Sequence, residues 1–177
     1  MQLDVLDPIG ARVTDLRLDA LDADAVAHLT RLLAEHGVLI APGQELDDAG
    51  FVGFLRSFSE LAFTKGETSA PGFPELLNVV SNVGRTTPPR SVFHVDTSYV
   101  SRPPAYTALR AVTVPEQGGQ TLFSNQYRAY DTLPVELRDR LRGRTVRHVV
   151  TGVEPGDEQE SEAVRWEPRP TPTRSLR

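Results

Sequence analysis

The chain has no cysteine in its 177 residues. That excludes disulfides, thiolate metal sites and a cysteine nucleophile, and it leaves the redox compartment open. No apolar run approaches the roughly 20 residues of a membrane span. The first residues, Met1-Gln-Leu-Asp-Val-Leu-Asp7, have neither the basic start nor the apolar stretch of a secretory leader, so the expected location is the cytoplasm, away from membranes. No internal repeat is visible. Excess positive charge is also missing. The net charge of -5 argues mildly against a nucleic-acid partner. The cluster Arg138, Arg140, Arg142, Arg144 and Arg147 lacks interleaved aromatics, so nucleic-acid binding is not expected of it.

The patterns that are present suit one domain with a sizeable core. Leu3 to Leu6 and Val13 to Leu18 read as short strands. Asp22 is placed to cap a helix whose apolar stripe is Ala25, Val26, Leu29, Leu32 and Leu33, with Gly37 at its end. Val38 to Ala41 reads as a buried strand. Asp47 or Asp48 can cap a second helix, with Phe51, Phe54, Leu55 and Phe58 on one side. Ala62 to Pro74 reads as a loop, as does Ser81 to Arg90, flanking a strand over Leu76 to Val80. Tyr106 to Val114 and Thr121 to Ser124 alternate as strands about a Gly118-Gly119 turn. Gln126 to Leu133 reads as a helix, and Pro134 opens another at its first helical position. Thr145 to Val150 reads as a strand. After Thr151 the pattern is lost. Residues 1–150 are therefore read as the domain, and residues 151–177, acidic and then rich in proline and arginine, as a disordered tail.

The candidate site is Ser91-Val-Phe-His-Val-Asp-Thr-Ser-Tyr99. On an extended strand His94 and Asp96, two residues apart, point to the same side and can reach one cation. An imidazole nitrogen and a carboxylate oxygen suit a non-haem Fe(II) that keeps positions open for substrates. Taken alone the pair is a weak signal, and a histidine with an accidental acidic neighbour explains it as well. His28 and His36 read as structural: His28 has no carboxylate at a useful spacing, and His36 sits in a last helical turn, where a cation complements the dipole. Lys65 and Glu67, and likewise Arg85 and Arg90, read as solvated surface residues. Asn82 and Tyr99 suit a pocket wall and a core or loop role equally.

Three segments carry a family resemblance: His94-Val-Asp-Thr-Ser-Tyr99 with Arg102-Pro-Pro-Ala105, Pro115-Glu-Gln-Gly-Gly-Gln-Thr-Leu-Phe-Ser124, and Ala129-Tyr-Asp-Thr-Leu-Pro134. Together with Glu35-His-Gly-Val-Leu-Ile40 and Gln44 they resemble the TauD/TfdA family of Fe(II)- and 2-oxoglutarate-dependent dioxygenases, from about Val5 to about His148. The resemblance implies a mainly β fold with flanking α-helices, a double-stranded β-helix or jelly roll. It implies His94 and Asp96 as iron ligands and Thr121 as the hydroxyl that binds a carboxylate of 2-oxoglutarate. It implies O2 as co-substrate and a reaction that couples decarboxylation of 2-oxoglutarate, to succinate and CO2, with hydroxylation of a small organic substrate. A carboxylate at position 96 favours hydroxylation, because related halogenases carry a small residue there. Taurine is not the favoured substrate, because Leu61-Ala-Phe-Thr-Lys-Gly-Glu67 lacks the His and Tyr with which the taurine enzyme holds a sulfonate.

In the family a distal His, the third ligand, and an arginine that clamps the far carboxylate of 2-oxoglutarate come later than this chain runs. His148 matches a different family position and reads as structural. The tail arginines Arg165, Arg169, Arg174 and Arg177 lie in a segment unlike the family's. The expectation is therefore a truncated or frame-shifted chain with a jelly roll incomplete at its C-terminus. Uncovered sheet edges would favour aggregation or pairing with another chain, a homo-oligomer among the options. The alternative to an enzyme is a non-catalytic fragment, or a partner subunit of such an enzyme.

Overall fold

The computed structural model describes residues 1–62, 68–80, 93–98 and 103–145. The chain divides into two units. One is Met1–Phe93 with Ala108–Ala129; the other is His94–Thr107 with the residues from Tyr130 onward.

The first unit begins with a hairpin. Strand β1 (Gln2–Val5) pairs antiparallel with β2 (Ala11–Thr14), Leu3 opposite Val13. The chain then crosses through helix α1 (Ala23–His36) to β3 (Leu39–Ile40), which lies parallel to β2. Helix α1 starts and stops where its sequence says it should. The Asp22 carboxylate accepts the Ala25 N–H at 2.8 Å, satisfying one of the donors that an N-terminus leaves unpaired. At the other end Gly37 adopts φ 76° and donates to the Leu33 carbonyl. A side chain at Gly37 would be strained by that φ and would press on Ile9.

The apolar stripe of α1 lies on β2. Val13, Leu29 and Leu32 are buried together, with Leu16, Leu18, Leu21, Leu39 and Phe58 packed around them. Each fully buried aliphatic side chain contributes about 1.5–3 kcal/mol relative to exposure. Gln44 closes the lower edge. Its amide accepts from Leu18 N–H at 3.0 Å and donates to the Leu16 carbonyl at 3.0 Å.

Helix α2 (Asp48–Arg56) is capped by Asp47, which accepts the Gly50 N–H at 2.7 Å. Val52, Ala70 and Leu77 form a second buried cluster with Phe51, Leu55, Leu61, Phe73 and Leu76. Its sheet is the hairpin of β4 (Ser69–Ala70) and β5 (Phe73–Asn78). This corrects the reading of Ala62 to Pro74 as loop throughout. Pairing with β5 makes strand out of a segment whose composition, rich in Gly, Thr, Ser and Pro, does not favour it. Two further helices follow, α3 (Gln126–Asp131) and α4 (Val135–Leu141). Pro134 stands one residue before α4 rather than within it, and Gly143, φ 72°, follows its end.

The larger corrections concern strands. Phe93–Val95 has no regular structure and Asp96–Ser98 forms a turn, so His94 and Asp96 do not sit on a strand. Tyr106–Val114 and Thr121–Ser124 are not strands either. The physical reason is common to all three. A strand needs a neighbour for its N–H and C=O groups, and the two sheets of the described residues, β1-β2-β3 and β4-β5, include none of them. The apolar side chains of these segments remain exposed, Val112 by 77% and Leu122 by 74%. The described residues thus hold two small sheets with helices beside them. The strand expected over Thr145 to Val150 lies, but for Thr145, outside the described residues, as do His148 and the tail after Thr151.

Candidate metal centre

The second unit contains the turn that brings His94 and Asp96 together. Asp96, Thr97 and Ser98 form it, and Thr97 takes φ 46°, a left-handed conformation that a β-branched residue adopts only under strain. The turn, rather than a pleat, is what points both side chains one way. His94 Nε2 and Asp96 Oδ1 stand 3.1 Å apart, with side chains 63% and 49% exposed. The Thr97 hydroxyl beside them is buried without a hydrogen-bond partner among the described residues.

The donor set fits a divalent ion of the first transition row. Two donors at right angles, each about 2.0–2.2 Å from one ion, lie about 3.0 Å from each other. The observed separation has that size, and the donors are an imidazole nitrogen and a carboxylate oxygen, the types found in iron sites with open positions. The same spacing also serves as a hydrogen bond in the ion's absence. Among the described residues no group of three His, Cys, Asp or Glu side chains converges on one point. His28 stays within α1, its Nδ1 3.1 Å from Arg31 Nη2, and His36 ends that helix, its carbonyl accepting the Gly10 N–H. Asn82, Tyr99, Lys65, Glu67, Arg85, Arg90 and Arg102 lie outside the described residues.

Thr121 belongs to the first unit, where it is exposed in a segment without regular structure. That segment begins after Gly118 and Gly119, φ 79° and 76°. At Gly119 a Cβ would meet the Pro115 ring at 2.9 Å, so only glycine fits there.

Two residues escaped the sequence reading. Arg110 holds the Leu46 carbonyl and the Asp48 carboxylate, with its guanidinium 5.8 Å from the centre of the Phe51 ring. An arginine in the middle of an apolar, alternating segment was the available signal. Asn125 caps α3 by accepting the Arg128 N–H at 3.0 Å. A Ser-Asn pair ahead of a helical pattern could have announced it.

The half-exposed His94–Asp96 contact by itself is no more than a candidate pair of ligands, and comparison with known proteins says more about the chain. The chain belongs to the TauD/TfdA family: it matches "Taurine catabolism dioxygenase TauD, TfdA family" over residues 2–176, past the point near His148 where the resemblance of motifs ends. The family's enzymes depend on Fe(II), 2-oxoglutarate (alpha-ketoglutarate) and O2. The alpha-ketoglutarate-dependent 2,4-dichlorophenoxyacetate dioxygenase of Cupriavidus pinatubonensis is 32% identical, over 78% of this chain and 54% of its own length. The alpha-ketoglutarate-dependent sulfate ester dioxygenase of Pseudomonas putida is 31% identical, over 74% of this chain and 43% of its own. The alpha-ketoglutarate-dependent sulfonate dioxygenase of Saccharomyces cerevisiae is 28% identical, over 79% and 37%. The chain thus spans about half the length, or less, of these curated relatives. No helix among the described residues is long and apolar enough to cross a membrane.

Proposed function

We propose that this chain carries part of the active site of an Fe(II)- and 2-oxoglutarate-dependent dioxygenase that hydroxylates a small organic molecule in the cytoplasm. The observation that carries the reading is the 3.1 Å approach of His94 Nε2 to Asp96 Oδ1, in a chain whose family performs that chemistry. His94 and Asp96 hold the iron. The Thr121 hydroxyl donates a hydrogen bond to a carboxylate oxygen of 2-oxoglutarate, a charge-assisted contact. When bound, the iron and its co-substrates supply the oxidation itself; the protein's part is to orient and shield them. The carboxylate of Asp96 occupies the place a halide would need, which favours hydroxylation. The relatives are named for a sulfonate, a sulfate ester and a phenoxyacetate, which supports a substrate bearing an anionic group. The jelly roll of the family is the fold in which these residues would work, with residues 1–150 as its N-terminal part and residues 151–177 as an appended tail.

Among the described residues no third His, Asp or Glu joins His94 and Asp96. That observation favours a second reading, a non-catalytic fragment or a partner subunit. One assay separates the two. Purified chain is supplied with Fe(II), ascorbate and 2-oxoglutarate, and succinate and bound metal are measured beside His94→Ala. Succinate above that control is the expected result; wild type equal to the control removes the enzyme reading. Metal uptake without succinate would point to a metal-binding protein without redox activity.

A further inference from the structure

The segment Gln120–Ser124 has no ladder to hold it, so the place of Thr121 is set at the segment's ends. On one side stands the glycine turn. On the other stands Asn125, whose side chain makes two contacts of opposite kind. Its Oδ1 accepts the Arg128 N–H at 3.0 Å, which caps α3. Its Nδ2 donates to the Pro8 carbonyl at 2.9 Å, across 117 residues of sequence. One turn along α3, Arg128 Nη1 meets Asp7 Oδ1 at 3.0 Å. The receiving turn, Leu6 to Gly10, is itself secured. Leu6 N–H donates to the Gly10 carbonyl at 2.9 Å and Gly10 N–H to the His36 carbonyl at 3.0 Å. The start of α3 is therefore fastened at two points to the turn that joins β1 and β2.

We propose that Asn125, assisted by Arg128, is a positioning residue for Thr121. Fastening α3 to the β1–β2 turn fixes the C-terminal end of the short segment that presents the threonine hydroxyl. The inference rests on the reading that Thr121 binds 2-oxoglutarate, and it adds the residue that holds it in place. The Arg128–Asp7 pair is exposed and contributes little by itself. The Asn125 amide carries most of the effect, because no other residue type both donates to Pro8 and caps in the same rotamer except by extending the side chain, as glutamine would.

The test uses Asn125→Asp, which keeps the cap acceptor and removes the donor to Pro8, beside Asn125→Ala, which removes both. Because the chain has no cysteine, spin labels go cleanly on Ala27→Cys and Leu122→Cys, with Ala27→Cys and Arg12→Cys as the control pair. Asn125→Asp should broaden the 27–122 distance distribution and leave the control pair narrow. It should also weaken 2-oxoglutarate binding, read by calorimetry on the Fe(II)-loaded protein, between about two- and tenfold, the size of one lost hydrogen bond. Fe(II) affinity should not change. Unaltered distances in both variants overturn the positioning role. Broadened distances with an unchanged 2-oxoglutarate Kd, while Thr121→Val weakens it, overturn the link from Asn125 to Thr121. A Thr121→Val protein that binds 2-oxoglutarate like wild type removes the reading of Thr121 and the proposal with it, and the spin-label result tells that failure from the others.

Discussion

Residues 1–80 and residues 106–124 are written in the same alphabet, and only the first of them builds sheets. Leu3-Asp-Val and Ala11-Arg-Val-Thr14 alternate no more regularly than Tyr106 to Val114. The difference is the partner. β1 finds β2 six residues away, and α1 then packs on Val13 of β2, although Leu3 and Val5 of β1 stay exposed. Tyr106–Val114 finds no ladder among the described residues, and Leu109, Val112 and Val114 stay exposed. Alternation is a necessary condition for a half-buried strand, and a second strand makes it sufficient.

The sharpest test of that contrast is a pair of truncations. Leu29→Ala, in the buried cluster under α1, should cost about 2–5 kcal/mol. Val112→Ala should stay within about 0.5 kcal/mol, as a surface change. Both are read by denaturant unfolding. A Val112→Ala loss above about 1 kcal/mol would break the comparison, since it would mean that the segment has a buried partner.

Next in size is the metal pair. Asp96→Ala should weaken Fe(II) binding by more than about tenfold and barely move the thermal midpoint, because the side chain is half-exposed. A large fall in Tm would instead make the turn part of the structural framework. A smaller effect is expected at the cap of α1. Asp22→Ala removes the bond to Ala25 and should cost about 1 kcal/mol, whereas Asp22→Asn should recover most of it.

The smallest effect concerns acid. The hydrogen bond from Arg17 holds the Asp19 carboxyl below its ordinary range and raises the arginine in turn. A carboxyl depressed in the folded state adds stability above its unfolded pKa and loses it as pH falls through the folded value. Arg17 stays charged throughout. Wild type should therefore exceed Asp19→Asn slightly at neutral pH, and the two unfolding curves should converge below about pH 4. Curves that remain apart at low pH would show that Asp19 acts through something other than its charge.

How much was legible differed by element. Both long helices could be placed from Asp22, Gly37 and Asp47, because a helix closes its own hydrogen bonds and its caps are local. The β4–β5 hairpin could not, since Ser69-Ala70 becomes strand only by lying beside Phe73–Asn78. At the site, His94 and Asp96 were picked out by type and spacing, and the structure brings them together for a reason other than the expected one. A turn with Thr97 at positive φ does what a pleat was expected to do. Asn125 and Arg110 went unnoticed because their partners, Pro8, Leu46 and Asp48, are more than sixty residues away.

The sequence by itself determined the local features: where α1 and α2 begin and end, the family, and a His and an Asp two residues apart. Those depend on side chains a few residues apart, or on motifs that survive in order along the chain. Only the tertiary structure decided which alternating segments became strands, how His94 meets Asp96, and what fastens the Thr121 segment. Each of these depends on a partner that no spacing rule supplies, because a strand edge, a strained turn and a long-range hydrogen bond take their energy from what the rest of the chain places beside them.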